Sequence, residues 1–497
     1  MRVPTRAEAN KLYIIVPILI TLGVFQLFYA AAIQPLRLDE RYSLFFALQF
    51  PLEHFLFGGP DVHPPGYFVV LRFIYSLTNS LTTLRAVTSI APYLVGVSVM
   101  LWLYRRRIQM VFLITTFFLF NTLLIQIIWQ LRMYGFVFLF AALSYAFLLH
   151  WQNNKQKRIL FFLMIILTLG NMFHYSFFLF AACVLFYLWK TSFTDYRSRR
   201  LTILAAVIFT TELFLFTGFN YKETFTYTSW ISTVSLLSIS NFFLGLFGLT
   251  SDLYNQTLHP WTLPVFFMLL VGGFYVYKAL TVKDRTRFTY FVIIPVSFTL
   301  VFSSFSPLLG KLPLLHRFLP SISLLLPRFL LPFLVILYSL IGEFLIIMMR
   351  KRNFISIAIV LIAVLLTIWE LLNYQLSLKP KVVADSFEQE LVHSLGRRSV
   401  LYWPEWLPIL GITSSNAYDV VAEANEGKLR SENLKSLLER DTSNTKDVCS
   451  VLTNHIIYLQ VPEYPNLIVA TEKLEASLAS CCLLVKRSNA TSIWSCY

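Results

Sequence analysis

The 497-residue sequence is 57% hydrophobic and 13% charged, with a mean hydropathy of +0.65 and a formal net charge of +15. A water-soluble domain of this length carries roughly a quarter charged residues to solvate its surface, so a cytosolic enzyme and a disordered chain are both excluded. The 41 Lys and Arg residues stand in short clusters between long apolar runs, which excludes nucleic acid as a partner and describes a polytopic membrane protein in a lipid bilayer.

In chain order, apolar runs predict transmembrane helices at about 12–32, 84–104, 108–128, 133–151, 159–173, 174–190, 201–219, 261–279, 288–305, 328–349 and 354–373. Residues 64–78 are apolar but short and contain Arg72, so they read as a helix lying in the membrane interface, as does 233–249. A cleaved N-terminal signal is not expected, because the first run is too long for a signal's apolar core. Twenty basic residues fall in six clusters: Arg2/Arg6/Lys11, Arg105–Arg107, Lys155/Lys157/Arg158, Lys190/Arg197/Arg199/Arg200, Lys278/Lys283/Arg285/Arg287 and Arg350–Arg352. About eleven spans with a cytoplasmic N-terminus keep all six in the cytoplasm, where positive loops belong.

Residues 1–374 therefore read as a transmembrane domain, with a first outer loop at 33–83, and residues 375–497 as an extracytoplasmic soluble domain. The latter holds fourteen of the 26 acids against twelve basic residues. Helix-like stretches (386–395, 431–440) alternate there with β-branched or apolar runs (399–403, 455–461, 483–485), which predicts a small α/β domain. Four cysteines, Cys449, Cys481, Cys482 and Cys496, fall in it, and their pairing is not readable from spacing.

Nine basic residues of the membrane part lie outside the six clusters: Arg37, Arg41, Arg72, Arg85, Arg132, Lys222, Lys311, Arg317 and Arg328. All map to the outer ends of spans or to outer loops. Asp39, Glu40, Glu53 and Asp61 crowd into the first outer loop, which is longer than a simple connection needs. Solvation alone accounts for any one loop charge, but the set at one membrane boundary points to chemistry. An Asp just after a transmembrane helix is placed to take a proton from an acceptor hydroxyl or amine. His63 is suited to binding a phosphate or donating a hydrogen bond, although a loop histidine needs no role.

Five motifs recur in order: Asp39-Glu40 after the first span, Asp61-Val-His63-Pro64-Pro65-Gly-Tyr67, Arg132-Met-Tyr134, His174-Tyr175, and Pro327-Arg328-Phe329-Leu-Leu-Pro332. Together they resemble the protein O-mannosyltransferase-like branch of the GT-C glycosyltransferases (glycosyltransferase family 39, the dolichyl-phosphate-mannose-protein mannosyltransferases). The resemblance covers most of residues 12–373. It departs at Phe329, where the branch has Tyr, and at Gln130, where many relatives have an acid.

The resemblance implies a helical GT-C membrane enzyme that moves a hexosyl or pentosyl group from a polyprenyl-phosphate donor to a protein, lipid or glycan acceptor. Asp39 would be the base, supported by Glu40. Asp61 and His63 would lie in the loop facing the acceptor or donor sugar. Arg328 would hold the lipid phosphate with Arg132, Lys311, Arg317, His174 and Tyr134, since a guanidinium stabilises the charge that develops on a leaving phosphate. No cofactor is expected. Asp39 and Asp61 are oxygen ligands that a divalent cation accepts, but no metal is expected either. The expected location is the plasma (inner) membrane in a bacterium or the endoplasmic reticulum in a eukaryote. Two other classes stay open: a transporter or flippase of lipid-linked sugars, which a lack of internal repeats disfavours, and a membrane-anchored assembly protein of the cell envelope.

Overall fold

The computed structural model describes residues 6–34, 63–191 apart from Asn79, 196–218, 236–246, 280–309 and 327–350, with short pieces within 40–48 and 271–278 and five strands between 400 and 496. They belong to two compact units. The first comprises Met1–Ala32, Phe46–Thr78 and Thr82–Leu378, and the second Ile33–Phe45, Asn79–Leu81 and Lys379–Tyr497.

The first unit is helical, and its helices follow the apolar runs of the sequence. Among the described residues, Leu12–Ile33, Leu81–Tyr104 and Tyr134–Asn154 are each long and apolar enough to cross a membrane. Their outward side chains are apolar: Ile14 is 67% exposed, Phe25 66% and Trp102 60%. In water such a surface would aggregate, whereas in lipid it is the ordinary surface of an integral membrane protein. Helices Lys157–Asn171 and Ser176–Thr191 meet at a turn around His174, as expected. The interfacial stretch at 64–78 contains the helix Gly66–Tyr75, and that at 233–249 contains Leu236–Leu246. The expected span 354–373 lies outside the described residues, as does most of 261–279.

One expected span is broken. Residues 108–128 form two helices, Ile108–Leu119 and Thr122–Ile128, bent by 57°. Asn121 makes the break. Its backbone is extended, and its side chain accepts the Leu124 N–H at 3.1 Å, capping the second helix. The amide then donates to the Tyr338 hydroxyl at 2.6 Å, while the Tyr93 hydroxyl donates to the carbonyl of Phe118. Polar side chains thus satisfy the backbone where the helical ladder is interrupted.

Two wide turns, Ala86–Ile90 and Thr289–Ile293, interrupt other helices with π geometry. Each is followed two residues later by a proline, Pro92 and Pro295. A proline lacks the N–H for the i→i−4 bond and its ring crowds the preceding turn, so the helix widens there rather than kinking. Aromatic packing fills the space between the helices: Tyr93 and Phe138 lie 4.6 Å apart, and Phe118 and Phe138 4.9 Å.

The second unit contains a five-stranded mixed sheet of β1 (Val400–Trp403), β2 (Ser431–Asn433), β3 (Ile456–Gln460), β4 (Cys482–Arg487) and β5 (Thr491–Cys496). The order is β2-β1-β3-β5-β4, with β2, β1 and β3 parallel and the rest antiparallel. Three expected strands are present. The stretch 431–440, expected to be helical, instead begins with β2. This short polar strand at the sheet edge gains its hydrogen bonds from β1, and that pairing outweighs local helical preference. Cys482 is disulfide-bonded and stands opposite Cys496 in the β4–β5 register.

Candidate functional site

Four of the five sequence motifs meet at one end of the first unit's helices, three of them held there by close backbone contacts. Pro64 and Pro65 start the Gly66–Tyr75 helix, a position where a missing N–H does no harm. The Gly66 N–H donates to the carbonyl of Met172 at 2.8 Å. A Cβ at Gly66 would sit 2.6 Å from that oxygen, so only glycine allows the approach. This bond ties the segment carrying His63 to the turn carrying His174.

Arg132 lies between the helices Thr122–Ile128 and Tyr134–Asn154, and its backbone is locked by Ser89 on the first π turn. The Ser89 hydroxyl donates to the Arg132 carbonyl at 3.0 Å and accepts the Arg132 N–H at 3.3 Å. The same π turn presents Thr88, whose hydroxyl lies 3.4 Å from that of buried Tyr67. The Tyr of the His-Pro-Pro-Gly-Tyr motif therefore braces the helix against this turn.

The Arg132 guanidinium is buried, and Nη2 lies 2.9 Å from Nε2 of His63. Guanidinium nitrogens only donate, so Nε2 of His63 is the acceptor. The His63 ring lies 5.2 Å from that of buried His174, which also packs 5.8 Å from Tyr134 and 6.0 Å from Phe329. Phe329 stands in the 3-10 turn Pro327–Leu330 that opens the helix Leu331–Arg350. That turn also contains Arg328, whose side chain lies outside the described residues.

Arg85, one residue before the π turn, is fully buried. It donates to the carbonyl of Ala31 at 2.8 Å and packs over the Trp129 ring at 4.9 Å. Ala31 is in the last turn of the first long helix, where carbonyls lack helical partners and a cation is favoured.

Of the residues singled out from the sequence, the structure gathers His63, Arg132, Tyr134 and His174. Glu40 is fully buried and belongs to the second unit. Asp39, Asp61, Lys311 and Arg317 lie outside the described residues. Sequence reasoning passed over Ser89, Thr88, Ser176 and the burial of Arg85; Pro92 was the one visible sign of the turn that organises the first two.

An arginine hydrogen-bonded to one histidine and a second histidine beside it favour an anion over a metal ion, because the guanidinium already supplies positive charge. Among the described residues, no group of three or more His, Cys, Asp and Glu is placed to hold a metal. Buried cationic and imidazole donors of this kind suit a phosphate.

No protein-family model and no curated relative matches the chain. Solved structures similar to it include ArnT from Cupriavidus metallidurans bound to undecaprenyl phosphate, with 12% identity over 96% of this chain and 97% of that chain and a TM-score of 0.44. The same protein in the apo state gives 12% identity, the same coverage and a TM-score of 0.47.

Proposed function

We propose that this integral membrane protein is a GT-C-type glycosyltransferase that takes a sugar from a polyprenyl-phosphate donor, with Arg132, His63 and His174 holding the donor's phosphate. The observation that carries this reading is the contact of the buried Arg132 with the half-buried His63, beside the buried His174. Three motifs far apart in sequence converge there on donors for an anion. His63, placed from sequence in the sugar-facing loop, is read here with the phosphate set.

In the proposed reaction the acceptor's oxygen or nitrogen attacks the anomeric carbon and gives up its proton to Asp39. The bond from that carbon to the phosphate oxygen breaks, and its electron pair leaves with the phosphate. Attack opposite the leaving group inverts the anomeric centre without a covalent intermediate. The negative charge that builds on the phosphate is met by Arg132 and Arg328. In the proposed topology the N-terminus is cytoplasmic and the site and residues 375–497 are extracytoplasmic, so that the cationic clusters stay inside.

The test is transfer from polyprenyl-phosphate sugars by purified protein in lipid, comparing wild type with Asp39→Asn and Arg328→Ala. Normal transfer by Asp39→Asn at equal expression would overturn the proposed chemistry. A C-terminal reporter found in the cytoplasm would overturn the topology.

The broken helix at Asn121 is the one described feature that suits a carrier of lipid-linked sugars, since such carriers use discontinuous helices. Movement of the donor across liposomes without sugar transfer would favour that second reading.

A further inference from the structure

We infer that Ser176 is a positioning residue, which holds the His174 imidazole in the tautomer that carries its proton on Nε2, for donation to the donor's phosphate. The inference rests on the phosphate reading of this site and adds to it the state of one ring and the residue that sets it.

The Ser176 N–H donates to Nδ1 of His174 at 3.0 Å, and the Ser176 hydroxyl lies 2.7 Å from the same nitrogen. An N–H cannot accept, so Nδ1 must carry its lone pair, and in a neutral imidazole the proton is then on Nε2. Ser176 is the first residue of the Ser176–Thr191 helix, and its N–H is one of the donors that a helix start leaves without an internal partner. His174 therefore caps this helix through Nδ1, and the cap fixes the ring. The backbone supplies one bond and the hydroxyl the other, so the ring has neither its flip nor its tautomer free. Nε2 lies buried at the opposite edge of the ring. On the packed faces, His63 lies 5.2 Å away and Phe329 6.0 Å away. Phe329 offers no acceptor that would draw the proton elsewhere.

The second histidine is set the other way. His63 accepts on Nε2 from Arg132, which leaves its proton on Nδ1. Arg132 and Ser176 thus fix two adjacent rings in opposite tautomers. A hydrogen bond to one ring nitrogen fixes the tautomer and so decides which nitrogen faces the chemistry.

The experiment labels the histidines with ¹⁵N in lipid nanodiscs and assigns His174 by subtraction with His174→Gln. In wild type the His174 Nδ1 signal is expected in the unprotonated range and Nε2 in the protonated range, with Nε2 shifting when undecaprenyl phosphate is added. Ser176→Pro, at the first position of its helix where proline is tolerated, removes both the N–H and the hydroxyl that donate to Nδ1. It is expected to give mixed tautomers and a fall in kcat of up to about tenfold, short of the roughly 100-fold cost of losing a donor outright because part of the population keeps the competent tautomer. The KM for the acceptor should stay unchanged. Ser176→Thr keeps both donors and should restore the wild-type spectrum and rate. A wild-type ring protonated on Nδ1 would overturn the inference. So would a folded Ser176→Pro protein with wild-type tautomer and kcat. Transfer by a wild type whose His174 Nε2 ignores undecaprenyl phosphate would overturn it while leaving the proposed function standing. Absence of both transfer and undecaprenyl phosphate binding in wild type would overturn the proposed function and the phosphate role of His174 together.

Discussion

The contact between Gly135 and Ser89 sets up a sharp test of how the candidate site is held. A Cβ added at Gly135 would lie 1.9 Å from the Ser89 carbonyl oxygen, about 1.5 Å short of the 3.4 Å at which ordinary contact begins. The obstacle is backbone, so no side-chain rotation relieves it. In Gly135→Ala the Leu81–Tyr104 and Tyr134–Asn154 helices must part at this point by about that distance. Ser89 is also the residue that holds the Arg132 backbone, at 3.0 and 3.3 Å, and a shift of this size breaks both bonds. Two lost hydrogen bonds cost about 1 kcal/mol each, and overpacking adds about 1–3 kcal/mol. The expected destabilisation is therefore about 3–5 kcal/mol. Displacing Arg132 by about an ångström lowers catalysis roughly 100-fold. Thermal unfolding in lipid nanodiscs measures the first effect and single-turnover sugar transfer the second. Gly273→Ala is the control, because a Cβ there meets nothing within 4 Å. A Gly135→Ala protein with wild-type stability and rate would refute the close contact and the role given to Ser89.

Three further outcomes follow from the same geometry. Arg132→Gln keeps a donor but loses the charge, and should lower transfer by about 100-fold or more; adding His63→Gln should cost less in that background than in wild type, read as a double-mutant cycle on kcat/KM. Asn121→Ala removes the helix cap and the donor to Tyr338, and should lower stability by about 2 kcal/mol, with about half from the cap and half from the hydrogen bond, measured by unfolding in the presence of lipid. Arg85→Leu removes the partner of the Ala31 carbonyl and the cation over Trp129, and should lower the unfolding temperature, with Arg85→Lys recovering only part because an ammonium stacks less well than a guanidinium.

The helices were largely legible because an apolar run of about twenty residues has one stable arrangement in lipid. The turn at His174 was readable from a run too long for one span and too short for two ordinary ones. The break at Asn121 was not read, although Asn121-Thr122 is a sound cap signal. Apolar residues on both sides concealed it, and a cap competes successfully with a continuous helix only where Tyr338 and Tyr93 satisfy the exposed groups. In the candidate site, ordered motifs marked out His63, Arg132 and His174. Their convergence could not be read, because the contact between Arg132 and His63 joins positions 69 residues apart. Spacing along the chain carries no information about which loops a helical bundle brings together. In the tail, β1, β3 and β4 were visible as β-branched or apolar runs. The strand β5 was not read from its alternating Thr491-Ser-Ile493-Trp-Ser-Cys496 pattern, nor β2 from a polar tripeptide that only its neighbour makes into a strand.

The burial of Arg85 has a consequence for how the protein is made. An arginine near the start of an apolar segment raises the free energy of inserting that segment alone, by about 2.5–3.5 kcal/mol at a helix centre and less toward an end. One described partner that offsets this is the Ala31 carbonyl, which belongs to the helix synthesised before it. The second long helix thus enters the bilayer most readily while the first is still beside the insertion channel. The two are expected to leave it as a pair, so an order of events in biosynthesis is written into one hydrogen bond of the finished molecule.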